Sequence, residues 1–297
     1  MEIERKKMKF LVTGVKGQLG FDVVQELKRR GYETVGVDIE EMDITDESSV
    51  NRVMEEVKPQ VVVHCAAWTA VDAAEDEENI SKVMAVNKTG TEYIAKSCKK
   101  FDAKMIYLST DYVFDGQGEE PWKVDDQRNP LNIYGQSKYE GEIAIEKILE
   151  KYFIVRISWV FGKNGKNFVK TMLNLGKTHD RLTVVSDQVG SPTYTYDLAR
   201  LLVDMAETEQ YGIYHVANEG DYISWYDFTV EIMKQAGKID DTYNHVEVVP
   251  VGSDQYPAKA KRPSNSRMDK SKLTENGFTP LPAWQNAVER YISEIMN

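Results

Sequence analysis

Two side chains that could share proton chemistry stand four residues apart, at Tyr134 and Lys138. Residues i and i+4 of a helix lie on the same face, so the phenol and the ammonium would project into one cleft. A cation a few ångströms away stabilises a phenolate and lowers the pKa of the phenol from its ordinary value of ~10. The pair therefore predicts a general acid able to protonate a developing alkoxide. The alternative is a chance spacing in a chain with 16 Tyr.

Two hydroxyl side chains, Ser109 and Thr110, follow the apolar run at 104–108. That run predicts a buried strand, and ligands of parallel α/β sheets bind outside the carboxyl ends of the strands. The hydroxyls could therefore reach a substrate carbonyl. Capping of the following loop is the alternative interpretation.

A glycine-rich turn at Gly14–Gly20 predicts a dinucleotide site, because it follows an apolar run and precedes an amphipathic segment that ends near Arg30. Glycines let the backbone approach a pyrophosphate, and the N-terminus of the following helix supplies N–H donors. A second strand at 34–37 ends at Asp38, whose carboxylate could accept hydrogen bonds from an adenosine ribose and so favours NAD(H) over NADP(H). A glycine turn without a ligand is the alternative.

Small residues follow another apolar run at 61–65, where a cofactor could pass close over the strand ends. A helix at 79–100 comes next and carries Asn87. The residues expected to contact the cofactor are Gly14, Gly17, Gln18, Leu19, Gly20, Asp38, Asp43, Ile44, Ala66, Ala67, Thr69, Asn87, Tyr134 and Lys138.

Strand and helix patterns alternate up to about residue 165, which predicts an α/β fold with a Rossmann-type doubly wound parallel sheet. Later elements are shorter and mixed. We expect residues 1–165 to form an NAD(P)-binding domain and residues 166–297 a smaller mixed α/β substrate-binding domain, with the segment at about 195–220 returning to the Rossmann sheet. The Gly-, Pro- and charge-rich segment 113–131 is expected to be a surface loop that covers the site.

Composition limits the possible partners. The net charge of −11 argues against binding to nucleic acid or to an anionic membrane. No apolar run reaches the ~20 residues of a membrane-spanning helix, the first residues lack a signal-peptide pattern, and the two Cys fit reduced thiols, so we expect a cytoplasmic protein. The four His lack metal-ligand spacing, which predicts no metal. An anionic substrate would need a local basic pocket, for which the loop at 259–267 is the candidate; a solvated basic loop is the alternative.

With the glycine turn, Ser109-Thr110, Tyr134 and Lys138 in this order, the chain resembles the extended short-chain dehydrogenase/reductase family. Longer strings make it similar to the dTDP-4-dehydrorhamnose reductases over essentially the whole chain from Met8. These strings are Ala66–Asp72 (AAWTAVD), Ser109–Gly116 (STDYVFDG), Pro130–Gly135 (PLNIYG), Ser158–Gly162 (SWVFG), Asp187–Thr193 (DQVGSPT) and Arg262-Pro263.

The resemblance implies NAD(P)H-dependent reduction of the 4-keto group of dTDP-4-dehydro-L-rhamnose to give dTDP-L-rhamnose. It implies that Tyr134 is the proton donor, that Lys138 holds the nicotinamide ribose and that Thr110 hydrogen-bonds the reacting oxygen. Other residues would serve the substrate: Tyr112 and Trp159 flank the hexose, and Asn167, Gln188 and Arg262 contact the nucleotide end. A homodimer is possible under this resemblance.

One departure lies in the glycine turn, where Lys16 places a cation near the adenosine phosphate. NADPH could therefore compete with NADH, which Asp38 slightly favours. Two rival functions stay open: another nucleotide-sugar 4-ketoreductase or epimerase, and a non-catalytic regulatory relative of the fold. Trp159 and the loop residues expected to contact the substrate argue for rhamnose. The intact Thr110, Tyr134 and Lys138 argue against a regulatory protein.

Overall fold

The structure is a computed structural model and describes residues 8–296. Its strands are β1 Lys9–Thr13, β2 Glu33–Val37, β3 Val61–His64, β4 Lys104–Thr110, β5 Tyr152–Ile157, β6 Val160–Phe161, β7 Arg181–Val185, β8 Val189–Gly190, β9 Thr193–Tyr194, β10 Gly212–Val216, β11 Ile223–Ser224 and β12 Glu247–Val251. Its helices are α1 Gln18–Arg29, α2 Glu47–Val57, α3 Glu77–Met84, α4 Thr91–Lys100, α5 Ile133–Ile148, α6 Phe168–Gly176, α7 Thr195–Ala206, α8 Trp225–Gly237, α9 Ser271–Glu275 and α10 Trp284–Met296. A π-helical turn, Ala85–Gly90, joins α3 to α4. Within residues 8–296, every helix is too short or too polar to cross a membrane.

Six strands form the central sheet in the order β2-β1-β3-β4-β5-β10, and all neighbours are parallel. After β1 the chain forms β2 on one side of β1, and it then crosses over to form β3 on the other side. A crevice opens at such a switch point, outside the carboxyl ends of the strands. The predicted Rossmann-type doubly wound parallel sheet is confirmed.

Helices bury both faces of this sheet. Along β4, Ile106 and Leu108 pack with α1 and α7, whereas Met105 and Tyr107 pack with α2, α4 and α5. Successive strand residues point to opposite faces, so a strand covered on both sides must be apolar at nearly every position. The apolar runs visible in the sequence are therefore the buried strands of the sheet.

A third apolar cluster lies apart from the sheet and joins α6, α8 and α10 with β7. The two-stranded pairs β7/β12 and β8/β11 come from the chain after residue 165, and the pair β6/β9 joins Val160–Phe161 to that part. Strand β10 comes from the same part but pairs with β5 in the central sheet. The division of the chain at about residue 165 stays a prediction.

None of residues 113–131 lines the cleft, and the segment packs against residues 265–267; that it covers the site stays a prediction. The ring of Trp122 stacks on Phe114 with centroids 4.7 Å apart. The indole N–H donates to the carbonyl oxygen of Asn265 at 3.2 Å, and the backbone N–H of Trp122 donates to that of Arg267 at 3.0 Å. The segment is thus fixed to the late chain, since Phe114 is buried and Trp122 is half-buried.

Candidate active site

A cleft of about 800 Å³ opens at the carboxyl ends of β1 to β5. Most of the residues singled out in the sequence line it, although they lie far apart in the chain. These are Gly14, Gly17, Gln18, Leu19, Gly20, Asp38, Asp43, Ile44, Ala66, Ala67, Thr69, Thr110, Tyr112, Tyr134, Lys138 and Trp159. The fold thus gathers the proposed cofactor, catalytic and hexose residues around one space.

The glycine turn fits a dinucleotide. Gly14 has a φ of +68°, and a Cβ there would lie 2.7 Å from the backbone nitrogen of Ala66. A Cβ on Gly20 would lie 2.3 Å from the carbonyl oxygen of Gly14. The turn therefore accepts only glycine at these positions, and α1 starts directly after Gly17 with its first N–H groups free to bind an anion.

Asp38 stands at the end of β2, on the cleft wall. Its carboxylate accepts the backbone N–H of Lys16 at 2.9 Å and that of Ile39 at 3.0 Å. The ammonium of Lys16 forms an exposed ion pair with Glu40 at 2.6 Å. The carboxylate that would contact a ribose is thus held in place by the glycine turn, whereas the cation that could attract NADPH is already paired.

Helix α5 presents the Tyr and the Lys to the cleft. Asn132 caps the helix by accepting the N–H of Gly135 at 2.7 Å, and Glu75 accepts the N–H of Ile133 at 2.7 Å. These two acceptors fix where the helix begins. As a result, Tyr134 and Lys138 both line the cleft, as the i, i+4 spacing predicts.

The electrostatics of the pair differ from the expectation of a lowered Tyr pKa. Burial raises the pKa of Tyr134 to about 12, and a hydrogen bond with the Thr110 hydroxyl opposes that rise. Burial also lowers the pKa of Lys138 to about 7, which the charge of Glu142 one turn further along counteracts. The ammonium of Lys138 lies 4.1 Å from the centre of the Tyr107 ring. Loss of hydration is thus the largest influence on both side chains, and the phenol holds its proton at neutral pH.

Asp111 is an acidic residue of the cleft that the sequence reasoning missed. Its carboxylate accepts a hydrogen bond from Thr110 at 3.0 Å and one from Ser266 at 2.5 Å. Burial raises its pKa to about 6. Its position directly after the end of β4 is the signal that could have revealed it.

Lys166 is a second residue that the sequence reasoning missed, and it lines the cleft beside Gly165. The loop that carries it is tied to the glycine turn, since Asn164 donates to the carbonyl oxygen of Lys16 at 2.8 Å. Lys170 holds the loop from the other side by donating to the carbonyl oxygens of Lys163 and Gly165. A lysine in a glycine-rich loop after a strand was the available signal.

Four predicted site residues lie outside the cleft lining. Asn87 sits behind it, where it donates to Ser137 and to the carbonyl oxygen of Trp68. Asn167 caps α6 and donates to Gln18 at 3.0 Å. Arg262 pairs with Asp72 at 2.7 Å. Gln188 also lies outside the lining. The structure therefore does not bring these four side chains into the cleft.

The chain matches one family model over residues 8–297, the RmlD substrate binding domain. The spore coat polysaccharide biosynthesis protein SpsK of Bacillus subtilis is 39% identical over 286 residues, which cover 96% of this chain and 97% of the relative. The dTDP-4-dehydrorhamnose reductase of Aggregatibacter actinomycetemcomitans is 40% identical over 289 residues, 95% of this chain and 97% of the relative. The crystal structure of the Bacillus anthracis dTDP-4-dehydrorhamnose reductase with NADP is similar with a TM-score of 0.90, at 39% identity over 97% of this chain and 99% of that one.

Proposed function

This chain belongs to the RmlD substrate binding domain family, and from that membership we propose that it reduces dTDP-4-dehydro-L-rhamnose to dTDP-L-rhamnose with NADH or NADPH. The single observation that carries the proposal is the convergence of Thr110, Tyr134 and Lys138 on a cleft that also contains the glycine turn. A non-catalytic relative would have no need to keep this set together.

The residues divide the work of the reaction. The bound dinucleotide supplies the hydride. The glycine turn and the N-terminus of α1 hold its pyrophosphate, Asp38 its adenosine ribose and Lys138 its nicotinamide ribose. Lys166 places a further cation in the cleft, on a loop that is tied to the glycine turn through Asn164.

As the sugar carbonyl carbon gains hydride, negative charge builds on its oxygen. The Thr110 hydroxyl, which exchanges the Asp111 carboxylate for the reacting oxygen, and the Tyr134 hydroxyl stabilise that charge. Tyr134 then gives its proton to the oxygen. The high pKa of Tyr134 keeps this proton on the phenol until the alkoxide forms. The product is an alcohol that has received one hydride at carbon and one proton at oxygen.

The substrate extends past Tyr112 and Trp159, two aromatic side chains on the cleft wall. An anionic diphosphate needs a cation, and Arg262 matches phosphate with two parallel N–H groups. The Arg262 side chain is 37% exposed beside Asp72. We therefore assign Arg262 to the diphosphate, which would replace the Asp72 carboxylate as the partner of the guanidinium. Asn167 and Gln188 are weaker assignments to the nucleotide end.

Location and assembly belong to the same proposal. Cys65 and Cys98 are both free thiols, which suits a reducing cytoplasm. We also propose that the protein is a homodimer, and the test is the molar mass of the purified protein in solution.

The test mixes the purified protein with NADH or NADPH and enzymatically prepared dTDP-4-dehydro-L-rhamnose, and follows oxidation of the cofactor. NMR of the product identifies the sugar. We expect stoichiometric oxidation and a dTDP-L-rhamnose product. A different reduced sugar would indicate another 4-ketoreductase, interconversion without net oxidation would indicate an epimerase, and no turnover with either cofactor would contradict the proposal.

A further inference from the structure

Trp159 has a backbone conformation that bulky residues rarely adopt. Its φ is +48°, in the left-handed region where a side chain crowds its own backbone. Such a conformation persists only when the surrounding structure enforces it, and it often marks a functional position. Here Thr193 enforces it from the neighbouring strand by donating its N–H to the carbonyl oxygen of Trp159 at 3.2 Å and its hydroxyl to that of Ser158 at 2.7 Å.

The indole of Trp159 is held as firmly as its backbone. Its ring stacks on that of Trp225, with centroids 3.7 Å apart and planes at 15°. Next to it lies Gly190, where a Cβ would be 3.1 Å from the Trp159 ring. Trp159 also lines the cleft.

Trp225 does not line the cleft itself. It is the first residue of α8, which Ser224 and Asp227 cap reciprocally. Phe168 packs on it at 4.5 Å and 46°. The third apolar cluster therefore holds the Trp225 ring in place, and the stacked Trp225 ring in turn holds the indole of Trp159.

We propose that Trp225 is a positioning residue, which acts through Trp159 to set the aromatic wall against which the substrate hexose packs. The inference rests on the proposed function, because it assigns that wall to the sugar. Without the stack, the Trp159 indole would lose the ring that holds one of its faces, and the sugar would lose a preformed surface.

Trp225→Leu tests this inference against a matched control, Phe168→Leu. Both changes remove an aromatic ring from the same cluster, but only Trp225 stacks on Trp159. We expect Trp225→Leu to raise KM for the nucleotide sugar at least about fivefold, with NADH affinity within about twofold of the wild type. Phe168→Leu should lower the melting temperature similarly and change the sugar KM by less than about twofold, because the cap of α8 still holds Trp225 beside Trp159. Trp225→Phe, which restores a smaller stack, should recover most of the loss.

Two further measurements separate positioning from stability. Among residues 8–296 these two side chains form the one stacked indole pair, so the exciton signal in circular dichroism should disappear in Trp225→Leu and persist in Phe168→Leu. In a Trp159→Leu background, Trp225→Leu should have little further effect on the sugar KM. An unchanged sugar KM in Trp225→Leu, an equal rise in Phe168→Leu, or additive effects of the two Trp changes would overturn the inference. Absence of turnover in the wild type would instead contradict the proposed function.

Discussion

Asn132 donates a side-chain hydrogen bond to the carbonyl oxygen of Lys261, 2.9 Å away. The same side chain caps the helix that carries Tyr134. Arg262 follows Lys261, so the proposed proton donor and the proposed diphosphate contact are joined through one asparagine. Because a change at either position can shift the other, kcat, KM and stability must all be measured to separate the two roles.

Tyr134→Phe removes only the proton donor, so the variant should keep its fold and its NADH affinity and lose most of its turnover. Steady-state kinetics and NADH titration provide the measurement. Tyr139→Phe is the control, since Tyr139 lies on the same helix outside the cleft lining. A kcat within about threefold of the wild type, roughly 0.7 kcal/mol, would show that Tyr134 is not the essential acid.

Lys138 should impose a pH dependence on stability. Burial lowers its pKa from 10.5 to about 7 in the folded protein, so between these values the unfolded chain binds more protons. Stability from this group therefore rises with pH across that window, by at most about 1.4 kcal/mol per pH unit. Urea unfolding should show the wild type gaining free energy of unfolding relative to Lys138→Met as pH increases from neutral. A flat or falling difference would contradict the buried, partly deprotonated lysine.

Asp38→Asn keeps an oxygen that can accept the backbone N–H of Lys16 but removes the charge. If Asp38 contacts the adenosine ribose, the variant should bind NADH more weakly and should no longer repel the extra phosphate of NADPH. The ratio of the two KM values is the measurement. An unchanged ratio would mean that Asp38 does not face the cofactor.

Lys166→Met should weaken the binding of NADH and of ADP-ribose, because both carry the pyrophosphate that we propose binds at the N-terminus of α1. We expect at least about a fivefold rise in Kd by titration. Lys163→Met is the control, since Lys163 lies in the same loop but pairs with Glu294 at 3.1 Å and lies outside the cleft lining. Weaker binding of dTDP with unchanged NADH affinity would place Lys166 at the substrate instead.

Arg262→Ala should raise KM for the nucleotide sugar by at least about tenfold and leave NADH affinity nearly unchanged, provided that Arg262 binds ground state and transition state equally. Lys259→Ala is the control, since Lys259 lies in the same loop as Arg262 and forms a similar exposed ion pair with Asp76. If the sugar KM stays constant while the melting temperature drops, Arg262 stabilises the fold through Asp72 and the anion site lies elsewhere.

Much of this molecule follows from local sequence patterns. Apolar runs separated by amphipathic helices determine the doubly wound sheet, since the period of a strand or helix is a property of neighbouring residues. The glycines of Gly14–Gly20 reveal the close approach at β1 for the same reason. The four-residue spacing of Tyr134 and Lys138 is sufficient to place both on one face of α5.

Tertiary structure decided the remaining features of the site, because these features depend on contacts between residues that are distant in the chain. The sequence shows a cation near Tyr134, but only the fold shows that burial raises the Tyr134 pKa and that Lys138 loses hydration beside Tyr107. Likewise, Asp111 meets Ser266, and Trp159 meets Trp225, across segments that no periodic pattern connects. Desolvation and packing are sums over all surrounding atoms, so they are determined only after the whole chain has folded.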